Sequence, residues 1–395
     1  ILKAVDNTIN NTLKFRDISP FTREDAQKEL DFIVSKINQN LHEFTYKFPE
    51  ASSRENRYKP VDNICWTGAF WTAMLWMAYE YTGNKKYRNI AEIQYESFAE
   101  RLDKRIYTDT HDLGFLYTLS CVAGYKLTGN EAMRDTALRA ADLLMERYKE
   151  KGNFIQAWGR LDDVKSYRLI IDCMLNIPLL YWASETTGDR KYYKIAHNHA
   201  VTTMNTAVRS DASTHHTFFF DHETGAPLMG KTCQGYSDNS AWARGQAWAI
   251  YGFILSYIYT KDSDMLITSE RTANYFLNCL PEDYICYWDL VFNDGSGEER
   301  DSSAAAIAVC GMLEIIKNTK DEFTGYYKNA VYAILHSLAS VYSTRNTPEA
   351  NSILLHGVYG KPQSQGMSCD ESCLWGDYFY MEAMMRIYKN WNLYW

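Results

Sequence analysis

The sequence has no run of about eighteen uncharged apolar residues, which is the length that a membrane-spanning helix requires. It also has no Pro/Gly/Ser-rich stretch and no low-complexity tract that would mark a linker. A chain of this length often forms two or three domains. Because nothing divides it, we expect residues 1–395 to form one domain that does not enter a membrane.

Positive charge is in short supply, since 41 Lys and Arg residues are outnumbered by 49 Asp and Glu residues and the net charge is −8. Without a basic stripe, the chain has no surface that could follow a phosphate backbone, which argues against a nucleic-acid partner. The overall field would weakly repel an anionic substrate, so such a substrate must be held by local donors.

The nine cysteines are scattered, odd in number and without a Cys-x-x-Cys pair, a usage more typical of the reduced cytoplasm than of a secreted disulfide framework. Metal motifs are missing as well. There is no His-Glu-x-x-His, and the pairs His197/His199 and His215/His216 lack a carboxylate or thiol at ligand spacing. Neither a Gly-x-Ser-x-Gly elbow nor a phosphate loop occurs. We therefore expect no metal ion and no cofactor.

Apolar residues are abundant, at 46% of the chain with 15% aromatic, and they recur in a repeated unit. An aromatic-rich helical segment stops at a polar turn, and a second helical segment follows. The clearest turns are Thr82-Gly83-Asn84, Thr128-Gly129-Asn130 and Thr187-Gly188-Asp189, with looser copies at 260–262 and 318–321. Glycine past a helix end stops one helix, and the following Asn or Asp can cap the next.

The first segments of these pairs are apolar on nearly every face, whereas the second segments carry a polar face. The first segments are predicted to begin near Phe70, Phe115, Cys173, Ala247, Ala304 and Tyr378. A helix that is apolar all round is buried, and an amphipathic helix covers it. The pattern predicts an all-α (α/α)6 barrel of six inner and six outer helices, with an open solenoid as the alternative. Residues 216–228 and 284–292 predict short rim β-hairpins.

If the inner helices are parallel, the residues just before their starts line one mouth of the ring. These positions carry aromatic rings, carboxylates, a histidine and an arginine, which suit a sugar-binding pocket. They are Trp66, His111, Asp112, Asp172, Arg244, Trp248, Asp301, Trp375 and Asp377.

Asp172 is the sharpest of these signals because it lies in the aliphatic segment Leu169 to Leu175, where an unpaired charge is costly to bury. Apolar surroundings raise the pKa of a carboxyl group, so we predict that Asp172 holds a proton near neutral pH and acts as a general acid. The structural alternatives are a helix cap and an ion pair with a neighbour such as Arg168.

Two other polar candidates, Asp112 and Arg244, can each be interpreted as functional or as structural. Asp112 could contact a sugar or cap the helix that begins at Leu-Gly-Phe, and Arg244 could bind a uronate carboxylate or pair with an acidic neighbour. His111 taken alone is more typical of a packing histidine. Most tryptophans of such a chain fill the core. Those at helix starts are candidates for sugar stacking, namely Trp66, Trp158, Trp242, Trp248 and Trp375.

Eight blocks in a fixed order resemble the unsaturated glucuronyl hydrolases, glycoside hydrolase family 88. They are WTGAFW, HDLGFLY, IQAWGR, LIIDCMLNIPLLYWA, HTFFFD, QGYSDNSAWARGQAW, RDSSAAAI and LWGDYFYMEA. The resemblance implies an (α/α)6 barrel and the hydration of a vinyl ether. A proton is added at ring carbon four and water at carbon five, and the hemiketal then opens and releases the partner sugar.

By motif position, the resemblance implies that Asp172 is the general acid that also activates water and that Asp112 binds ring hydroxyls. The residues implied to line the subsite for the unsaturated uronate are Trp66, His111, Trp158, His216, Gln234, Trp242, Arg244 and Trp248. As a hypothesis, Lys361, Ser364 and Ser368 contact the second sugar and its sulfates.

The expected substrate is a small lyase-generated oligosaccharide of the glycosaminoglycan type, from which the terminal 4,5-unsaturated uronic acid is released. One alternative is an unsaturated rhamnogalacturonyl hydrolase that acts on pectin fragments. Another is a non-catalytic sugar-binding toroid. We expect a cytoplasmic location, and the sequence leaves monomer and dimer equally open.

Overall fold

The computed structural model describes residues 8–319, 324–361 and 367–395, which are mainly helical. In chain order the α-helices are α1 (Arg23–Phe44), α2 (Gly68–Thr82), α3 (Lys85–Asp103), α4 (Leu113–Tyr117), α5 (Ala123–Thr128), α6 (Glu131–Met145), α7 (Pro178–Thr187), α8 (Arg190–Thr206), α9 (Ala243–Thr260), α10 (Ser263–Asn278), α11 (Ser302–Asn318), α12 (Thr324–Ser340) and α13 (Leu374–Tyr388). A π-helical turn, Thr118–Val122, joins α4 and α5 into one continuous helix.

These helices form a closed double ring. The inner ring consists of α2, α4 with α5, α7, α9, α11 and α13, and the outer ring of α1, α3, α6, α8, α10 and α12. Helix α13 packs against α11 on one side and against α2 on the other, while α1 covers α13. The ring therefore closes between its last and first inner helices, which confirms the predicted (α/α)6 barrel and excludes an open solenoid.

Burial explains why the two rings differ. Helix α9 is buried at every position from Ala243 to Ser256, whereas α6 buries one stripe that includes Met133, Ala137 and Leu144. Aliphatic and aromatic side chains that surround a helix can leave water only if other helices surround it as well. No helix in the described part of the chain is both long and apolar enough to span a bilayer.

The clear copies of the repeated turn end one helix and begin the next through the same set of hydrogen bonds. In the first copy Gly83 adopts a left-handed conformation (φ 70°), and the side chain of Asn84 accepts a hydrogen bond from the amide of Lys86. The hydroxyl of Thr82 donates to the carbonyl of Ala78 and accepts from the amide of Asn84. Thr82 thus links the end of α2 to the cap of α3, and equivalent bonds recur in the other two clear copies. The looser copy at 318–321 lies partly outside the described residues.

Short β-strands lie in the loops at the rims of the barrel. They are β1 (Phe48–Pro49), β2 (Pro60–Val61), β3 (Tyr148–Lys149), β4 (Phe154–Ile155), β5 (Arg168–Ile170), β6 (Thr217–Phe220) and β7 (Pro227–Lys231). β6 and β7 form the hairpin predicted at 216–228, and β5 adds a third antiparallel strand with Leu169 opposite Phe218.

Two predictions about local structure were wrong. Residues 284–292 form two isolated β-bridges and no strand, because the carboxylate of Asp289 accepts bonds from the amides of Tyr236 and Val291 and curls the segment. The third inner helix begins at Pro178 and not near Cys173. The intervening residues Ile171–Leu175 form a 3-10 turn, and proline favours the first position of a new helix.

Candidate active site

A cavity of about 520 Å³ opens where the inner helices begin. Its wall is largely aromatic and its floor is acidic. The lining residues are Trp66, His111, Asp112, Trp158, Asp172, Cys233, Gln234, Trp242, Arg244, Trp248, Tyr359 and Met367. Residues as far apart in the chain as Trp66 and Met367 therefore meet at one mouth of the ring.

Two carboxylates share one histidine at the floor of this cavity. The Nε2 atom of His111 lies 3.2 Å from Oδ1 of Asp172 and 3.5 Å from Oδ1 of Asp112. The imidazole is sealed at 1% exposure, whereas the side chains of Asp112 and Asp172 are 14% and 21% exposed. The acids can thus reach a ligand in the cavity, and the histidine supports them from behind.

Asp112 stands at the start of α4, but its side chain makes no capping hydrogen bond. Its Oδ2 instead accepts a bond of 2.6 Å from the hydroxyl of Thr110. The amide of Phe115 is capped by the side chain of Asn176, at 2.7 Å. Because Asn176 satisfies the helix end, the Asp112 carboxylate is left to face the cavity.

Asn176 also joins the two acidic segments. Its side-chain amide donates to the backbone carbonyl of Asp172 at 3.2 Å, while its carbonyl oxygen caps α4 beside Asp112. The contact requires glycine at position 114, since a side chain there would overlap the backbone of Asn176. Gly114 and Asn176 therefore hold the two carboxylates together, although neither faces the cavity.

The surroundings shift the pKa values of the two acids in opposite directions. Burial raises the pKa of Asp112, and the neighbouring Asp172 charge adds to this effect against the attraction of His111. Burial also acts to raise the pKa of Asp172, but attraction to His111, with a smaller contribution from Arg244, outweighs it and leaves that pKa below its ordinary value. Burial disfavours charge on His111, but the two carboxylates raise its pKa well above the usual range.

The predicted reason for Asp172 to act as an acid is therefore wrong for the free protein. We expected aliphatic surroundings to keep it protonated, but His111 packs against it and stabilises the carboxylate. Of the two structural alternatives, the helix cap is not formed, whereas an ion pair is formed, with His111 and not with Arg168. Sequence distance hid this partner, since His111 lies 61 residues earlier.

The guanidinium of Arg244 is bound by several groups of the protein. It pairs with Asp301 at 3.5 Å, donates to Oε1 of Gln234 at 2.5 Å, and donates to the carbonyls of Val358 and Tyr359. The structure shows the pairing with an acidic neighbour, and because Arg244 also lines the cavity, its binding of a uronate carboxylate stays a prediction. Because the oxygen of Gln234 is held by Arg244, the amide nitrogen of Gln234 is the group left to donate into the cavity.

His216 lies behind the wall and does not line the cavity. Its Nδ1 atom accepts bonds from the amides of Cys233 and Gln234, and its ring packs 4.4 Å from that of Trp242. Burial lowers the pKa of His216 to about 4, with Arg244 adding to this effect against Asp172. A neutral His216 thus fixes the turn that presents Gln234.

The aromatic wall has two layers. Trp66 faces the cavity and donates from its indole nitrogen to the hydroxyl of Tyr359 at 2.9 Å. Trp375 is fully buried and stacks behind Trp66 with ring centroids 5.1 Å apart. Trp375 therefore supports a sugar-facing ring instead of lining the cavity, as we had expected for it.

Two further rim candidates are also placed elsewhere. Asp301 caps α11 and pairs with Arg244. Asp377 lies in a separate small cavity, where it accepts bonds from Tyr58 and from the amides of Ile353 and Leu354. Burial raises the pKa of Asp377 to about 7. Its position in the first turn of α13, two residues after Trp375, points it to the opposite side of that helix.

Sequence reasoning missed Tyr359 and Met367, and did not count Cys233 as lining. Tyr359 and Met367 come from the segment before α13, which has no repeat or helical pattern to place it. In that same segment Lys361 is held by ion pairs to Glu298 and Glu299, and Ser364 lies outside the described residues.

One cluster in the described residues has the donor set of a metal site, namely His111, Asp112 and Asp172, whose nearest ligand atoms lie within 4.8 Å of one another. A metal would need His111 as a neutral ligand. The two carboxylates raise the pKa of His111, which favours a proton on this imidazole and disfavours its use as a metal ligand. The cluster therefore has groups that can hold and transfer a proton.

A helical ring with paired acids beneath an aromatic cavity defines a carbohydrate-processing enzyme. The model for Glycosyl Hydrolase Family 88 matches residues 35–391, and the chain belongs to this family. It is 47% identical, over the full length of both chains, to an unsaturated chondroitin disaccharide hydrolase of Streptococcus pneumoniae. It is 42% identical to an unsaturated glucuronyl hydrolase of a Bacillus species, covering 90% of this chain and 95% of that one.

Solved structures agree with this assignment. The unsaturated glucuronyl hydrolase of Streptococcus agalactiae superposes with a TM-score of 0.95 at 47% identity, covering 100% of this chain and 98% of that one. A heparin-specific unsaturated glucuronyl hydrolase gives a TM-score of 0.82 at 29% identity, covering 92% and 96%. The predicted family, fold and enzyme class are confirmed.

Proposed function

We propose that this protein removes the terminal 4,5-unsaturated uronic acid from disaccharides of the chondroitin type by hydrating the double bond. The observation that carries the proposal is the contact of both cavity carboxylates with a single imidazole nitrogen. Three relatives at 47–48% identity bear the name unsaturated chondroitin disaccharide hydrolase. A Streptococcus agalactiae relative has been crystallised with dGlcA-GalNAc6S.

The coupling of the two acids suits hydration of a double bond better than ordinary glycosidic cleavage. That chemistry uses two carboxyl groups that flank the scissile bond, one as acid and one as nucleophile or base. Asp112 and Asp172 both lie within 3.5 Å of the Nε2 atom of His111, so the charge of one acid is coupled to the charge of the other. One acid that moves the proton and one that holds hydroxyl groups suits an addition to a double bond.

The proton has a defined route in this scheme. In the free protein the pKa of Asp172 is lowered and that of His111 is raised by their mutual attraction, which favours the proton on His111. A bound uronate excludes water and adds a negative charge, and both effects raise the pKa of Asp172. Asp172 then takes up a proton, which His111 can supply across 3.2 Å, and delivers it to carbon four. The carboxylate that remains accepts a proton from water as the oxygen of that water bonds to carbon five.

The remaining lining groups hold the sugar. Asp112 lines the cavity and accepts a bond from Thr110 at Oδ2, so ring hydroxyls can donate to the rest of its carboxylate. Gln234 offers its amide nitrogen, and Trp66, Trp158, Trp242 and Trp248 cover the ring faces. The hemiketal formed at carbon five opens and frees the second sugar, so the substrate loses its double bond and no redox partner is consumed.

A pectin-derived substrate and a non-catalytic toroid remain the competing proposals. The chondroitin assignment of the relatives disfavours the first, and the His111-linked acid pair disfavours the second, since simple binding does not need a shared proton. We also infer that the chain acts as one catalytic domain, because the ring closes through its last inner helix. A cytoplasmic location fits the nine unpaired cysteines.

The decisive experiment replaces Asp172 with Asn. The amide has a similar size but cannot donate that proton, so we expect kcat to fall by about a thousandfold or more with the fold intact. Turnover is followed as the loss of ultraviolet absorbance of the conjugated double bond, on chondroitin-derived and pectin-derived disaccharides. The exposed Asp135→Asn on α6 is the matched control and should retain wild-type rates.

The reaction in heavy water tests the chemistry directly. Protonation at carbon four must place deuterium there, and mass spectrometry or NMR of the released sugar locates the label. Product without deuterium at carbon four would show direct glycosidic cleavage and would overturn the hydration scheme.

A further inference from the structure

Arg168, the first residue of β5, borders the cavity on its outer side. Its guanidinium lies 4.8 Å from the ring centroid of Trp158 and 5.1 Å from that of Phe219. It also approaches the sulfur of Cys233 at 4.0 Å. Trp158 and Cys233 both line the cavity, so two aromatic rings hold the cation at its edge.

This cation has no acidic partner among the described residues. No carboxylate there lies within ion-pair distance of Arg168, and its Nε atom is buried without a hydrogen-bond acceptor. The other arginines around the cavity differ. Arg244 is paired with Asp301, Arg160 with Asp162, and Arg147 donates to backbone carbonyls. In a chain with a net charge of −8, an arginine beside the cavity that has no carboxylate partner in the described part of the chain requires a reason.

The position of Arg168 relates it to the second sugar and not to the uronate. The floor of the cavity holds His111 and the two acids, where the double bond must react. Arg168 lies outside this cluster, against Trp158 and Cys233 in the cavity wall. Lys361, which we had considered for this role, is neutralised by Glu298 and Glu299.

We propose that Arg168 is a specificity residue that binds a sulfate ester on the second sugar of the substrate. The proposal rests on the proposed function, because it assigns a subsite of the same cavity. A planar guanidinium can donate two parallel hydrogen bonds to an oxyanion. Stacking between Trp158 and Phe219 holds the plane in place before the ligand arrives, which reduces the entropy lost on binding.

The test compares unsulfated unsaturated chondroitin disaccharide with its 4-sulfated and 6-sulfated forms. For Arg168→Gln we expect kcat/KM on at least one sulfated form to fall about tenfold or more, as for the loss of a charge-assisted hydrogen bond. On the unsulfated form the fall should stay below about threefold. Arg168→Lys keeps the charge without the paired donors and should lie between. Arg160→Gln, which loses only an exposed ion pair, should leave every ratio at the wild-type value.

Equal losses on sulfated and unsulfated substrates would overturn the proposal, because Arg168 would then only support Trp158. An unchanged ratio in Arg168→Gln would overturn it as well. Dissociation constants of the same disaccharides, measured by calorimetry in an Asp172→Asn background, give the same comparison without turnover. The wild-type rate on unsulfated disaccharide tests the proposed function separately, so the two failures can be told apart.

Discussion

Replacing His111 with Gln removes the positive charge that holds two carboxylates together at the cavity floor. The nearest oxygen atoms of Asp112 and Asp172 lie within 4.8 Å of each other and of His111 Nε2. At an effective dielectric constant of about 20, two unit charges at this separation repel by about 3.5 kcal/mol. This energy corresponds to roughly a 300-fold bias against ionising both acids.

The expected result follows from the sign of this repulsion. In the wild type, the pKa of His111 is raised by the two carboxylates, so its charge is present throughout the neutral range and is lost only at higher pH. In His111→Gln the pair must bind an anionic uronate without that charge. We expect kcat/KM at neutral pH to fall by about a hundredfold or more, with part of the loss recovered as the pH falls, because a proton on the acid pair removes the repulsion.

The assay is kcat/KM from ultraviolet absorbance across the pH range in which the wild type stays folded, as checked by circular dichroism. The ratio of variant to wild-type kcat/KM should rise as the pH falls. His222→Gln, on the exposed loop between β6 and β7, is the control and should follow the wild-type profile. A His111→Gln profile parallel to that of the wild type would refute the shared-charge reasoning.

Two further changes test the support of the site and its chemistry. Gly114→Ala places a methyl group against the backbone of Asn176, so we expect a loss of about 1–3 kcal/mol in unfolding free energy and a lower kcat, measured by thermal denaturation and steady-state rates. Gly325→Ala, which meets open space, should show neither effect. Extended dialysis against a chelator should leave kcat unchanged, because the raised pKa of His111 disfavours its use as a metal ligand. Loss of activity that a divalent cation restores would mean that the cluster binds metal.

The site shows where sequence reasoning reaches its limit. Asp112 and Asp172 were found because each departs from its surroundings, one at a helix start and one inside an aliphatic run. The partners that define their chemistry were not visible. Asn176 caps α4 from 61 residues away, and Arg244 is neutralised by Asp301 across 57 residues. Nothing local in the chain indicates either contact.

The amino-acid sequence by itself determined the closed double ring of helices and the mouth at which its polar residues gather. Those features depend on short-range rules, since helical periodicity, glycine stops and threonine-linked caps act within a few residues. Only the tertiary structure decided that His111 lowers the pKa of Asp172, that Trp375 lies behind Trp66, and that Arg168 has no carboxylate partner among the residues described. Charge balance and solvent access depend on distances between groups far apart in the chain, and folding alone sets those distances.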